Sequence, residues 1–224
     1  MPNAHLGGND FTLFYDYDEL REGKLYSLND DEQIEWFRLR MTMVFLEPLR
    51  RVFDRGSAAY REMNSGPHDM DGSPVRTFTL AAFSVLLNGI EALGSFLPRI
   101  TNVSGPNFSC FKAFVQEYMK DWDTRITGDT LYGTRDMPEI LWKHFRNGIA
   151  HGFVIEGGGV EGNPSPKWKV HEPERGKLLE INYEKFFADF QSGVMRFFND
   201  IQAPGDKRSQ FLQRFRSVYP RKVV

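Results

Sequence analysis

The segment 141–152 carries residues whose types and spacing suit chemistry on a phosphate. If it is a helix, at about 100° per residue, one face is apolar and is formed by Leu141, Phe145 and Ile149. The other side, which we call the polar face, carries His144, Arg146, Asn147 and His151. An imidazole moves protons near neutral pH, and a guanidinium binds a phosphate in bidentate fashion and stabilises the charge that develops on it. The polar face therefore suits phosphate chemistry.

The order Arg146-Asn147-x-x-x-His151 resembles the signature of the HEPN superfamily, whose name stands for higher eukaryotes and prokaryotes nucleotide-binding. Members are small bundles of mainly antiparallel helices with the signature on a late helix. Many are endoribonucleases that need no metal or other cofactor and dimerise so that two signatures face one cleft, whereas others are inactive or bind nucleotides. The resemblance implies that Arg146 and His151 are catalytic, that Asn147 supports them, and that the partners are RNA or a nucleotide and a second copy of the chain.

The spacing of the signature residues is a second argument for a dimer, separate from the family resemblance. Arg146 and His151 are five residues apart, hence about 140° apart around an ideal helix, and cannot both aim at one point from mid-helix. A helix that ends near Gly152, the long reach of Arg, or a second copy across a two-fold axis would each resolve this. The third agrees with the dimer that the family implies, and we expect Gly148 or Gly152 in the interface.

A second group of polar residues interrupts an apolar helix predicted over 75–97 and ended by Pro98. Its members share one stripe and are Ser84, Asn88, Glu91 and Ser95. The segment is apolar enough to suggest a membrane span, but a carboxylate in the middle of a membrane is energetically costly. A buried helix of a protein without membrane spans is therefore the better interpretation. A buried carboxylate needs a partner, and Arg146 is the first candidate, with His144 and Asn88 as supporting residues. The alternative is a structural Glu91 that pairs with another Arg or reaches solvent.

The remaining pattern predicts a mainly α fold, a bundle of about five helices with a small antiparallel β appendage after the fourth helix. Helices are expected from about 30 to the low sixties with a kink or break at Pro48, over 108–122, from Asp136 onward, and over about 183–201. The run Asn29-Asp30-Asp31-Glu32 offers a cap for the first helix, with acids in its first turn. The residues expected to face inward are Phe111, Phe114, Val115, Tyr118 and Met119 in the helix over 108–122, and Ile140, Leu141, Trp142, Phe145 and Ile149 in the helix from Asp136 onward. The β appendage covers 153–181 and includes a turn at Gly157-Gly158-Gly159. We expect one HEPN-like domain over 1–224, with an irregular arm over 1–29 and a basic segment over 205–224.

The amino-acid composition excludes several kinds of function. The 28 Lys and Arg against 30 Asp and Glu leave a net charge of −2, which argues against a protein coated in nucleic acid or held on an anionic membrane. The single cysteine, Cys110, excludes an internal disulfide and a Cys-based zinc site, and His144 and His151 are too far apart for joint ligation, so no metal is expected. The start of the sequence lacks a secretory pattern, which favours the cytoplasm.

The two ends of the sequence carry opposite charge. Residues 205–224 contain six basic residues against Asp206, and residues 1–35 contain nine acids against Arg21 and Lys24. We expect the ends to attract each other, in preference to a basic end that binds RNA, because Phe211, Leu212, Phe215 and Val218 recur at helical spacing.

Three functions remain open from the sequence. The first is a HEPN-like endoribonuclease, in which His151 transfers a proton during attack of a ribose 2′-hydroxyl on the adjacent phosphate and Arg146 stabilises the transition state. The second is a non-catalytic HEPN-like module that binds a nucleotide or a protein through the same face. The third is a structural helical scaffold.

Overall fold

The structure is a computed structural model that describes residues 28–54, 77–98, 105–127, 133, 135–152, 155, 158–161, 166–171 and 178–219. Helices make up 74% of this described part and form six continuous helical segments, which confirms the mainly α prediction. Residues 1–27 of the predicted arm over 1–29, the extension of the first helix beyond 54, the start of the second at Val75 and the run Phe153-Val154 lie outside it. No helix among the described residues is long and apolar enough to cross a membrane.

The first helical segment joins α1 (Asp30–Arg40), a π-helical stretch (Met41–Leu46) and α2 (Glu47–Phe53). Asn29 caps it in a reciprocal capping box with Glu32, because each side chain accepts the other residue's backbone N–H. Pro48 does not divide this segment, and the predicted kink at Pro48 stays a prediction. Proline removes an N–H and crowds the preceding turn, and the wider π-helical turn just before it accommodates that defect while the helix continues to Phe53.

The next pair of helices is α3 (Thr77–Gly94) and α4 (Pro106–Tyr118), the latter followed by a 3-10 turn (Lys120–Trp122). They meet closely: an ideal Cβ on Gly94 would lie 1.9 Å from the Cys110 carbonyl oxygen. The predicted inward residues of α4 are all buried, namely Phe111, Phe114, Val115, Tyr118 and Met119.

The prediction that α3 is buried on most sides is only partly right. Its exposed face consists of Ala81, Val85, Asn88 and Ala92, so Asn88 of the polar stripe lies on that face. Ser84, Glu91 and Ser95 are half-buried. The sequence could not show this, because alanine and valine are compatible with either a core or a surface position.

The helix with the HEPN-like signature joins α5 (Met137–Ile140), a π-helical stretch (Leu141–Arg146) and α6 (Asn147–Gly152). Its predicted apolar face is confirmed, because Leu141, Phe145 and Ile149 are at most 2% exposed. Asp136 occupies the cap position but makes no capping bond, and its carboxylate accepts a hydrogen bond from Lys112 at 3.4 Å. Two-residue strands β1 (Arg125–Ile126) and β2 (Arg135–Asp136) pair antiparallel before it.

The β appendage corrects two predictions. It contains β3 (Gly158–Glu161), β4 (Trp168–His171) and β5 (Leu178–Asn182) in the order β3-β5-β4. β4 is antiparallel to β5 as predicted, but β3 is parallel to it, so the sheet is mixed. The predicted glycine turn is wrong, because Gly158 and Gly159 belong to β3, an edge strand of the sheet. Strand direction depends on which segments meet in space, which local pattern does not encode.

The last two helices are α7 (Tyr183–Gln202) and α8 (Asp206–Val218). The chain divides into two compact units, one formed by 1–48 and 195–224 and the other by 49–194. Both divisions fall within continuous helical segments, and the single domain over 1–224 stays a prediction.

In the unit formed by 1–48 and 195–224, α8 confirms that the ends attract each other. Phe211, Leu212 and Phe215 are at most 5% exposed, whereas Val218 is 43% exposed. Arg208 pairs with Asp31 at 2.8 Å, and Arg216 pairs with Asp30. The basic segment therefore packs on the acidic start of α1.

Candidate functional site

The site is built around the Arg146 guanidinium, which three neighbours hold. Its Nη2 donates to the Glu91 Oε2 at 3.1 Å, and its Nη1 donates to the Asn147 Oδ1 at 3.0 Å. Its Cζ lies 4.6 Å from the centre of the Trp142 ring, within the range of a cation–π interaction. The predicted contact between Glu91 and Arg146 is confirmed. The catalytic role of Arg146 stays a prediction.

Two helices bring these residues together. Glu91 lies on α3, near the edge of its exposed face, and Trp142, Arg146 and Asn147 lie on the helix that contains the signature. Their apolar sides meet where the Phe83 and Phe145 rings lie 6.1 Å apart. Both rings are fully buried, and the Glu91–Arg146 pair joins the same two helices.

The π-helical stretch ends at the signature. Its last backbone bond runs from the Asn147 N–H to the Trp142 carbonyl, five residues back rather than four. π-Helical turns are rare and occur frequently at functional sites. This bond ties the backbone of the signature to the residue whose ring lies under Arg146.

The guanidinium retains donors for a ligand. An arginine has five N–H donors, of which two are used here, one on each Nη. Of the three that remain, the Nε–H is buried with no hydrogen-bond partner among the residues that the structure describes. The Arg146 side chain is 22% exposed, and each Nη keeps one donor that the contacts to Glu91 and Asn147 do not use.

The other predicted site residues differ in their exposure and in how far the structure describes them. His144 is half-buried on the same helix, two residues before Arg146. Asn88 is exposed, one helical turn before Glu91. His151 lies in α6, and the position of its side chain is outside the description. Its catalytic role therefore stays a prediction, as do the supporting roles of His144 and Asn88.

Trp142 is the site residue that sequence reasoning missed. The pattern assigned it to the core, yet it is half-buried and lies beneath the charge of Arg146. The available signal was its spacing, because residues four apart on a helix are neighbours and an aromatic ring attracts a cation at that distance.

Comparison with protein-family models, with curated proteins and with solved structures finds no match for this chain. Within the described part of the chain, no group of three or more His, Cys, Asp or Glu side chains could hold a metal ion. The features of this chain that bear on function are therefore the contacts of Arg146 and the signature in which it lies.

Proposed function

We propose that this chain is a HEPN-like endoribonuclease that acts in the cytoplasm without a metal or other cofactor. The observation that carries the proposal is the Arg146 guanidinium, held by Glu91, Asn147 and Trp142 at the start of the signature while it keeps donors for a ligand. A catalytic group fixed in advance stabilises a charged transition state without having to reorganise during the reaction.

In the proposed reaction, the ribose 2′-oxygen attacks the adjacent phosphorus and the bond to the 5′-oxygen breaks. His151 takes part in the accompanying proton transfer, and the Arg146 Nη donors stabilise the negative charge that builds on the phosphate oxygens. The products are a 2′,3′-cyclic phosphate and a free 5′-hydroxyl. The reaction requires a 2′-hydroxyl, so RNA is a substrate and DNA is not.

We also propose that the active form is a symmetric homodimer. Arg146 lies at the junction of the π-helical stretch and α6, five residues before His151. Because the turn between them is α-helical, the two residues remain about 140° apart around the helix axis. A second copy across a two-fold axis would supply the groups missing on the other side of a phosphate. Light scattering at micromolar concentration should report twice the chain mass, and a monomer would contradict this assembly.

The direct test is cleavage of single-stranded RNA in the presence of a chelator. We expect Arg146→Ala and His151→Ala each to abolish cleavage with unchanged helix content, and Arg146→Lys to remain strongly impaired because lysine lacks the planar fork. Lys143→Ala is the matched control, since Lys143 is a cation of the same π-helical stretch that pairs with Glu139 at 2.7 Å instead. Its activity should equal that of the wild type.

Other outcomes would reject the proposal. Equal cleavage of DNA, or complete dependence on a divalent ion, would exclude attack by the 2′-hydroxyl as the mechanism. A protein that binds RNA or a nucleotide through Arg146 but never cleaves would be the non-catalytic HEPN-like binding module instead.

A further inference from the structure

Trp142 is fixed in place before any ligand arrives. The Phe111 and Phe108 rings of α4 lie 5.5 and 6.0 Å from its ring. These contacts hold the indole between the body of the unit and the Arg146 guanidinium. The ring is therefore an anchored surface for the cation rather than a mobile side chain.

The three neighbours of Arg146 restrain it in different ways. Glu91 and Asn147 each hold one Nη nitrogen, whereas Trp142 attracts the centre of the guanidinium. A long arginine side chain loses much rotamer freedom when it binds a ligand, so restraint beforehand reduces that loss at the moment of binding. Removing the ring should free the side chain even where both hydrogen bonds can still form.

We infer that Trp142 is a positioning residue, which holds Arg146 so that its free Nη donors meet the phosphate of a bound single-stranded RNA. The choice of RNA as the ligand rests on the proposed function. The inference itself concerns binding through Arg146 and does not require that the bond be cleaved.

A matched control exists on α1. Trp36 and Arg40 have the same four-residue spacing, and the Arg40 Cζ lies 5.4 Å from the Trp36 ring. Trp36→Leu therefore removes a buried tryptophan under an arginine in the unit formed by 1–48 and 195–224, which does not contain Arg146. A general effect of losing such a pair would appear in this variant too.

The experiment measures fluorescence anisotropy of a short single-stranded RNA with 2′-O-methyl riboses, which cannot be cleaved by 2′-hydroxyl attack. We expect Trp142→Leu to weaken binding about two- to five-fold, the equivalent of one cation–π contact. Trp142→Phe should retain most of the affinity because it keeps a ring, and Trp36→Leu should bind like the wild type. Cleavage of unmodified RNA is measured in parallel.

A double-mutant cycle separates positioning from other roles. In an Arg146→Ala background, Trp142→Leu should have no further effect on binding, because the residue through which it acts is gone. An equal loss in both backgrounds would mean that the ring contacts RNA directly or only supports the fold, and would overturn the inference. Wild-type affinity of Trp142→Leu would also overturn it, as would a wild type that does not bind the probe.

The nuclease activity and the positioning role of Trp142 can be refuted independently of each other. If unmodified RNA is cleaved in an Arg146-dependent way while Trp142→Leu binds and cleaves like the wild type, the inference is wrong and the nuclease stands. If binding depends on Arg146 and Trp142 as described but unmodified RNA stays intact, the positioning role stands and the nuclease is wrong.

Discussion

Gly94→Ala tests the close contact between α3 and α4. Gly94 is the last residue of α3, and an ideal Cβ there would lie 1.9 Å from the Cys110 carbonyl oxygen and 2.6 Å from its carbonyl carbon. Separations below 3.0 Å essentially do not occur for real Cβ atoms. The obstacle is the backbone of α4, which cannot rotate away as a side chain can. The two helices must therefore move apart.

The expected cost follows from two opposing effects. Overpacking of a well-packed core costs roughly 1–3 kcal/mol, and a backbone obstacle puts this site near the upper end. Alanine favours a helix over glycine by at most about 1 kcal/mol, a gain that is reduced at a helix end. We expect a net loss of about 2–3 kcal/mol in the free energy of unfolding, or about 4–12 °C in melting temperature for a chain of this size.

Two other glycines of the same unit give a graded comparison. A Cβ on Gly193, in α7, would lie 3.0 Å from the Tyr118 carbonyl oxygen, so a slight strain offsets the helical gain of about 1 kcal/mol. A Cβ on Gly159, in β3, would meet nothing closer than 3.9 Å. We expect Gly193→Ala to be nearly neutral and Gly159→Ala to be neutral or stabilising by about 0.5 kcal/mol.

The assay is urea and thermal unfolding of each variant, followed by far-ultraviolet circular dichroism. The order of stability should be Gly159→Ala, then Gly193→Ala, then Gly94→Ala. A Gly94→Ala protein as stable as the wild type, or a loss equal in all three variants, would refute the argument from helix separation.

Two further predictions concern charged contacts. Burial alone lowers the pKa of Lys167, but hydrogen bonds to Asp121 and Asp189 at 2.6 and 2.7 Å outweigh it and raise the pKa above its ordinary 10.5. A group whose pKa is higher in the folded state contributes stability below its unfolded pKa and loses it as pH rises through the folded pKa. Urea unfolding should therefore show Lys167→Met less stable by up to about 1 kcal/mol at pH 7 to 9, with the difference shrinking as the pH rises through the folded pKa. A difference that grows with alkaline pH would contradict this. Deletion of 205–224 removes the buried Phe211 and Phe215 and the pair between Arg208 and Asp31, so it should lower the melting temperature without changing the salt dependence of RNA binding. An unchanged melting temperature with a weaker salt dependence would show that this segment binds RNA instead.

Much of the helical fold was predictable because it follows from local patterns in the sequence. The apolar residues of α4 and of the signature helix recur at helical spacing, and each predicted inward residue of α4 is buried. Asn29, with Glu32 three residues later, is a local start signal that the structure confirms. Such features depend on neighbours within one or two turns, which the sequence lists directly.

The candidate site was predictable in part. A carboxylate on an apolar helix needs a cationic partner wherever it is buried, and this led from Glu91 to Arg146 although the stripe itself proved half-buried. Trp142 was missed because an aromatic residue beside a core position is most simply assigned to the core. Only the packing of α4 against it showed that the ring also faces Arg146.

The sequence by itself predicted most of the helical segments, where several of them begin, and a partner for Glu91. The tertiary structure alone decided the direction of β3, the approach of Gly94 to Cys110 and the place of Trp142. The physical reason is the range of the interactions. Helical bonds and caps join residues a few positions apart, whereas strand pairing, backbone contact between helices and the anchoring of a ring depend on segments that are brought together only when the core is formed.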